Sequence, residues 1–98
     1  MKVYLKIHIR DDCETIACCD EELLNQVFRE GSLKMEISSQ FYGGELVKLE
    51  DAIEILKHAS FFNIVGEKII EQAINCQLLP KEGVRFIYGV PMALKMMV

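Results

Sequence analysis

Residues 2–10, KVYLKIHIR, alternate without a break. Val3, Leu5, Ile7 and Ile9 fall on one side of an extended chain, and Lys2, Tyr4, Lys6, His8 and Arg10 on the other. A period of two sustained over nine residues fits a half-buried β-strand and no helix. A strand with one wet face belongs in a sheet that is at least partly antiparallel. The polar RDDC that follows reads as a turn, and ETIACC as a second strand folded back on the first. Whatever comes after has to complete that sheet and cover its apolar face.

Asp20 is predicted to cap a short helix. Glu21 and Glu22 complement its dipole, Leu23, Leu24, Val27 and Phe28 share a face, Arg29 lies in the last turn, and Gly31 stops it. LKMEIS alternates again, with Leu33, Met35 and Ile37 inward. It runs into Phe41-Tyr42, meets Gly43-Gly44 and leaves through ELVK, which predicts a hairpin closed by a type I′ turn. From Leu49 the period becomes 3.6, with Ala52, Ile53, Leu56 and Ala59 in one stripe. After SFFN a second helical pattern runs through Gly66, Ile69, Ile70, Ala73 and Ile74 towards Gln77. Pro80 and Gly83 break the chain before a strand, VRFIY, and a Met-rich tail, GVPMALKMMV. The predicted order is β-β-α-β-β-α-α-β in one domain, 1–98. Its class is α+β, a mostly antiparallel sheet with helices packed on one face.

Composition narrows the class of function. In 98 residues, 51% hydrophobic and 27% charged side chains are too apolar for disorder and too mixed for a membrane span. Lys6, His8 and Arg10 interrupt what a signal peptide would need as an apolar run, so a cytoplasmic protein is expected. Cys13, Cys18, Cys19 and Cys76 show no C-x-x-C and no histidine at zinc spacing, and Cys18 and Cys19 would face opposite sides of a strand. Free thiols, no metal and no cofactor are expected. A net charge of −4 disfavours nucleic-acid binding through the overall field but leaves room for a local basic patch.

The chain lacks G-x-S-x-G, a Gly-rich phosphate loop and H-E-x-x-H, so an enzyme is disfavoured. Two groups of residues stand out. Lys2, Lys6, His8 and Arg10, with Tyr4 interleaved, have the makeup of an RNA- or anion-facing strand, where cations meet phosphates and a ring stacks on a base. Phe41, Tyr42, Gly43, Gly44 and Glu45 form either a plain turn or a docking surface of rings beside bare backbone. Asn63, Gly66 and Glu67 mark a helix start that could face them. A helix N-terminus there would suit an anionic ligand, with Glu45 and Glu67 as acid–base groups. Met92, Met96 and Met97 either complete the core or offer a soft contact to a second copy.

Taken in order, VYLKIH, ACCDEELL, REG, FYGGEL, NIVGE and GVP span nearly the whole chain. Together they resemble a small archaeal family of uncharacterised proteins, the domain of unknown function numbered 424. The resemblance implies a stand-alone cytoplasmic domain and points to Tyr42, Gly43, Gly44, Glu45, Asn63, Gly66 and Glu67 without assigning them a role. The family pattern often reads G-V-P-H where this chain has Gly89-Val90-Pro91-Met92, so any chemistry of that histidine is missing here.

The function expected from these observations is a non-enzymatic binding module for a protein or RNA partner, with no membrane association. The alternatives are an anionic small-molecule site between FYGGE and Asn63–Glu67, and a structural subunit assembling through the Met-rich tail.

Overall fold

A computed structural model describes residues 1–96. It contains β1 (Lys2–Arg10), β2 (Cys13–Asp20), β3 (Val27–Glu30), β4 (Leu33–Glu36), α1 (Ser39–Tyr42), β5 (Glu45–Lys48), α2 (Leu49–Lys57), β6 (Phe61–Val65), α3 (Glu67–Asn75), β7 (Arg85–Ile87) and β8 (Val90–Met96). Six strands form one sheet in the order β5-β1-β2-β6-β8-β7, and β3-β4 form a separate two-stranded sheet. Every pairing is antiparallel except β2 with β6. The α+β class and the mostly antiparallel sheet are therefore as read from the sequence.

Three two-residue turns organise the hairpins. Asp11 and Asp12 both have positive φ (52° and 62°) between Arg10 and its partner Cys13, the pattern of a type I′ turn. Tyr88 (52°) and Gly89 (76°) do the same between Ile87 and Val90. Between Glu30 and Leu33 only Gly31 is positive (60°). The type I′ turn predicted at Gly43-Gly44 does not form. Neither glycine has positive φ, and ELVK pairs with β1 instead of with LKMEIS.

Two other stretches depart from the prediction. The helix expected over 20–31 is a single 3-10 turn, Glu21–Leu23, followed by β3. Its apolar residues were too few to separate helical from extended periodicity. The backbone beyond the turn is claimed by Ile37, whose carbonyl accepts from Asn25 N at 2.6 Å and whose amide donates to Gln26 O at 2.9 Å. Likewise FFNIV, read as the approach to a helix, is β6. It is a short aromatic and β-branched run flanked by strands on both sides, the usual content of a sheet centre. The tail after Gly89 is β8, an interior strand. Met92 is half-buried and Met96 exposed, while the Met97 and Val98 of the Met-rich tail lie outside the described residues.

The sheet has a core on each side. On one, α2 (Leu49, Ala52, Ile53, Leu56) and α3 (Ile69, Ile70, Ala73) pack on Val3, Leu5, Ile16, Cys18, Phe62 and Ile64. On the other, the β3-β4 hairpin and α1 contribute Met35, Ile37 and Tyr42 against Ala17, Cys19 and Val65. The two long helices thus share one face, as expected. Cys18 and Cys19 do face opposite sides, one in each core. Burial holds both thiols protonated, pushing Cys18 far up and Cys19 up to about 12. No helix among the described residues is long and apolar enough to cross a membrane.

Candidate functional site

Side-chain parity decides what each face of the sheet offers. Residues paired in register point to the same side. Lys2, Tyr4, Lys6, His8 and Arg10 therefore share a face with Thr15, Ala17 and Cys19 of β2, Phe61, Asn63 and Val65 of β6, and Met92, Leu94 and Met96 of β8. The β3-β4 hairpin covers only part of this face. Ala17, Cys19 and Val65 are buried beneath it, and Tyr4 is half-buried against the same cluster. The remainder is open, with Lys6, His8, Arg10 and Thr15 on one side and Phe61, Asn63, Leu94 and Met96 on the other.

The FYGGE segment is the wedge between the covered and open parts. Ser38 caps α1, its Oγ accepting from Phe41 N at 3.2 Å. The resulting turn sends the two rings different ways. Tyr42 is 5% exposed and packs edge-on to Phe41, with ring centroids 4.9 Å apart. Phe41 stays at the rim, stacked on His8 at 4.7 Å and 17°. His8 Nε2 lies 2.8 Å from Phe41 O, and Lys6 Nζ donates to Gln40 O at 2.7 Å, so β1 staples α1 in place. The glycines serve close approach rather than a ligand. A Cβ on Gly43 would stand 2.6 Å from Ser39 O, and one on Gly44 would stand 2.8 Å from Lys6 Cα.

Two shallow depressions flank Phe41. One, about 490 Å³, is lined by Lys6, His8, Ser38, Gln40 and Phe41. The other, about 160 Å³, includes Thr15, Phe41, Phe61, Asn63, Leu94 and Met96. Behind the second, the buried Tyr42 Oη donates at 2.7 Å to Oδ1 of Asn63, which lines it. The structure thus joins two residues that the sequence singled out separately, Tyr42 and Asn63.

The remaining sequence candidates lie elsewhere. Glu45 pairs with Leu5 at the far edge of the sheet and is exposed on the helix side. Gly66 and Glu67 open α3 on that same side, away from Asn63. Glu45, Asn63 and Glu67 do not converge, and the pocket imagined between them is absent from this geometry. The α3 N-terminus, where an anion was expected, is already capped from within. Asp20, 1% exposed, accepts from Lys68 N at 2.9 Å through one oxygen and from Ile69 N at 3.0 Å through the other. Its carboxyl sits above the usual carboxylate range, because burial outweighs the two amides that stabilise its charge.

Gly66, at φ 123°, has no room for a side chain, since a Cβ would stand 2.6 Å from Asp20 Oδ2. Its amide donates to Pro91 O at 2.9 Å. Three motifs that looked independent, CDEE, NIVGE and GVP, therefore meet at one structural junction. Among the described residues no group of three or more histidine, cysteine or acidic side chains is placed to hold a metal ion.

Sequence reading missed Phe61, Leu94 and Met96 as members of the open face, because it took SFFN as a helix approach and left GVPMALKMMV without a register. It also gave Asp20 to the wrong helix. One signal was available: α3 begins on a glycine and has no capping side chain of its own.

A family model described as protein of unknown function (DUF424) matches residues 7–97. Among solved structures, an uncharacterized conserved protein from Methanopyrus kandleri is similar to this chain with a TM-score of 0.78. The likeness covers 96% of this chain and 90% of the other at 23% identity, and so concerns the fold alone. No curated protein matches.

Proposed function

This chain belongs to the DUF424 family. From that premise we propose that it is a non-catalytic cytoplasmic module that binds single-stranded RNA on the open half of its six-stranded sheet. The observation that carries this reading is a segregation of charge by strand parity. The chain as a whole is acidic, at −4. Yet the strand positions of this face of the six-stranded sheet carry Lys2, Lys6, Arg10, Lys48 and Arg85, of which Lys6 and Arg10 border the open half, and, among the described residues, no carboxylate. The carboxylates of the six-stranded sheet, Glu14, Asp20 and Glu45, all fall on the helix side, while Glu30 and Glu36 belong to the hairpin over the covered half. On the open half, beside Lys6 and Arg10, Phe41 and Phe61 supply rings on which bases can stack.

The test is fluorescence anisotropy of a labelled single-stranded RNA across a salt titration. Binding should weaken linearly in log–log form, and Arg10→Ala should reduce the slope by about 0.7 for its one phosphate. Phe61→Ala should weaken binding by roughly tenfold or more, since a stacked base is worth about 1–3 kcal/mol. Absence of binding at low salt, or binding indifferent to both substitutions, overturns the reading. A protein would instead hold to Leu94 (55% exposed) and Met96 (72% exposed) on the same face. Binding of the RNA that is lost on Leu94→Ala but unchanged in Arg10→Ala would likewise count against the phosphate row.

A further inference from the structure

We infer that Asn63 reads a base on this face, and that Tyr42 fixes its amide so that the site favours a base presenting a carbonyl over one presenting an amino group. The inference rests on the RNA reading above and deepens it. Asn63 lies on β6, in the interior of the sheet, with Ala17 and Leu94 as its cross-strand neighbours. Neither neighbour can hydrogen-bond through its side chain. The one side-chain partner it has is the Tyr42 hydroxyl, which donates to Oδ1 at 2.7 Å. That leaves Nδ2, with two N–H donors, without a protein partner among the described residues and bordering the depression it shares with Phe41 and Phe61.

The amide is held this way round for a physical reason. Burial pushes the Tyr42 phenol up to about 12, so it keeps its proton at neutral pH. Turning the Asn63 amide over would make the hydroxyl an acceptor and leave that proton without an oxygen to bond. The ring itself cannot swing away, because it is buried and set edge-on to Phe41. Asn63 therefore turns the two free donors of Nδ2 towards a ligand, with Oδ1 held by Tyr42.

Placement then selects the atom that is read. Lys6 and Arg10 on β1 would take the phosphates, and β6 lies two strand spacings away, about 9.6 Å. A nucleotide anchored by its phosphate over β1 and stacked on Phe41 or Phe61 brings the edge farthest from its sugar towards Asn63. In a pyrimidine that edge carries O4 in uracil and an amino group in cytosine. The uracil oxygen accepts from Nδ2, whereas the cytosine amino group sets donor against donor.

The experiment compares eight-nucleotide oligo(U) and oligo(C) by anisotropy at one salt concentration, using the wild type, Asn63→Ala and Tyr42→Phe, with circular dichroism to confirm that each is folded. The wild type should bind oligo(U) about tenfold more tightly than oligo(C). Both variants should bring that ratio near one while oligo(C) affinity stays within about twofold of wild type. Equal binding of the two oligomers by the wild type, or a preference that survives in Asn63→Ala, overturns the inference and leaves the RNA reading standing. Failure of both oligomers to bind removes the RNA reading itself. Asn63→Ala keeps the test decisive if Tyr42→Phe does not fold.

Discussion

Replacing Asp20 by alanine strips the cap from α3. Two backbone donors lose their acceptor: Ile69 N, on a fully buried residue, and Lys68 N, on a half-buried one. Leaving the buried amide unpaired costs about 1–3 kcal/mol, while the other can turn to water. An N-cap loss of this kind is typically worth about 1 kcal/mol. The two figures describe the same lost bonds and do not add, and relief of the buried carboxyl offsets part, so the expected net cost is about 1–2 kcal/mol. In a chain of this length that lowers the melting temperature by roughly 5–15 °C.

Gly66→Ala should cost a similar amount, because φ 123°, ψ 149° is a region almost reserved for glycine and the new Cβ meets Asp20. Urea denaturation of both single variants and the double variant, at constant m-value, measures the coupling. The double variant should cost clearly less than the sum, since removing the carboxyl opens room for the Cβ and leaves only the backbone strain. Strict additivity, or an Asp20→Ala cost below about 0.5 kcal/mol, would refute the argument that Asp20 and Gly66 form one junction. The pH dependence supplies a sign. The folded carboxyl lies above its unfolded value of ~3.9, so folding favours the protonated form. The Asp20 contribution is fully present below the unfolded value and is lost as pH rises through the folded one. Wild type should therefore lose stability relative to Asp20→Asn between pH 4 and neutral.

Two further outcomes are expected. Cys18, Cys19 and Tyr42 all have folded pKa values raised by burial, to about 12 for Cys19 and Tyr42. Their contribution is complete below the unfolded thiol value of ~8.5 and is lost as pH climbs towards 12, so urea midpoints should fall steadily above pH 9 and a flat profile would contradict the burial. Gly44→Ala should destabilise by about 1–3 kcal/mol through its contact with the β1 backbone, read as a lowered melting temperature, and an unchanged value would mean that the crossing from α1 to β5 is looser than described.

Where the sequence carried a long, single-period signal, it read through to the structure. The nine alternating residues of β1 and the Ala52–Ile53–Leu56 stripe of α2 are in place because their pattern agrees with their tertiary surroundings. Where the signal was short, neighbours decided. Leu23, Leu24 and Phe28 fit a helix as well as an extended chain, and Ile37 took the backbone for pairing. Phe61–Val65 is a strand because β2 and β8 enclose it, which no local pattern in five residues announces. The candidate site divides in the same way. Its cations were legible from parity within one strand. Its rings come from β6 and α1, and which of Phe41 and Tyr42 stays outside depends on a one-turn helix that was read as a hairpin.

The strand order has a bearing on how the chain reaches its fold. The three strands on one side of the sheet, β5-β1-β2, all lie within residues 2–48, and the three on the other, β6-β8-β7, within 61–96. The molecule is built from two successive portions of chain, each with a tight-turn hairpin that can form in microseconds. They are zipped along a single parallel ladder in which Ile16 meets Phe62, 46 residues away. Closing a loop of that length costs about 3 kcal/mol in chain entropy before any contact across the seam repays it. Asp20 gripping α3 on the helix side and Tyr42 bonded to Asn63 on the open side both cross from the first portion to the second, so the step that joins the portions makes a latch on each face of the sheet.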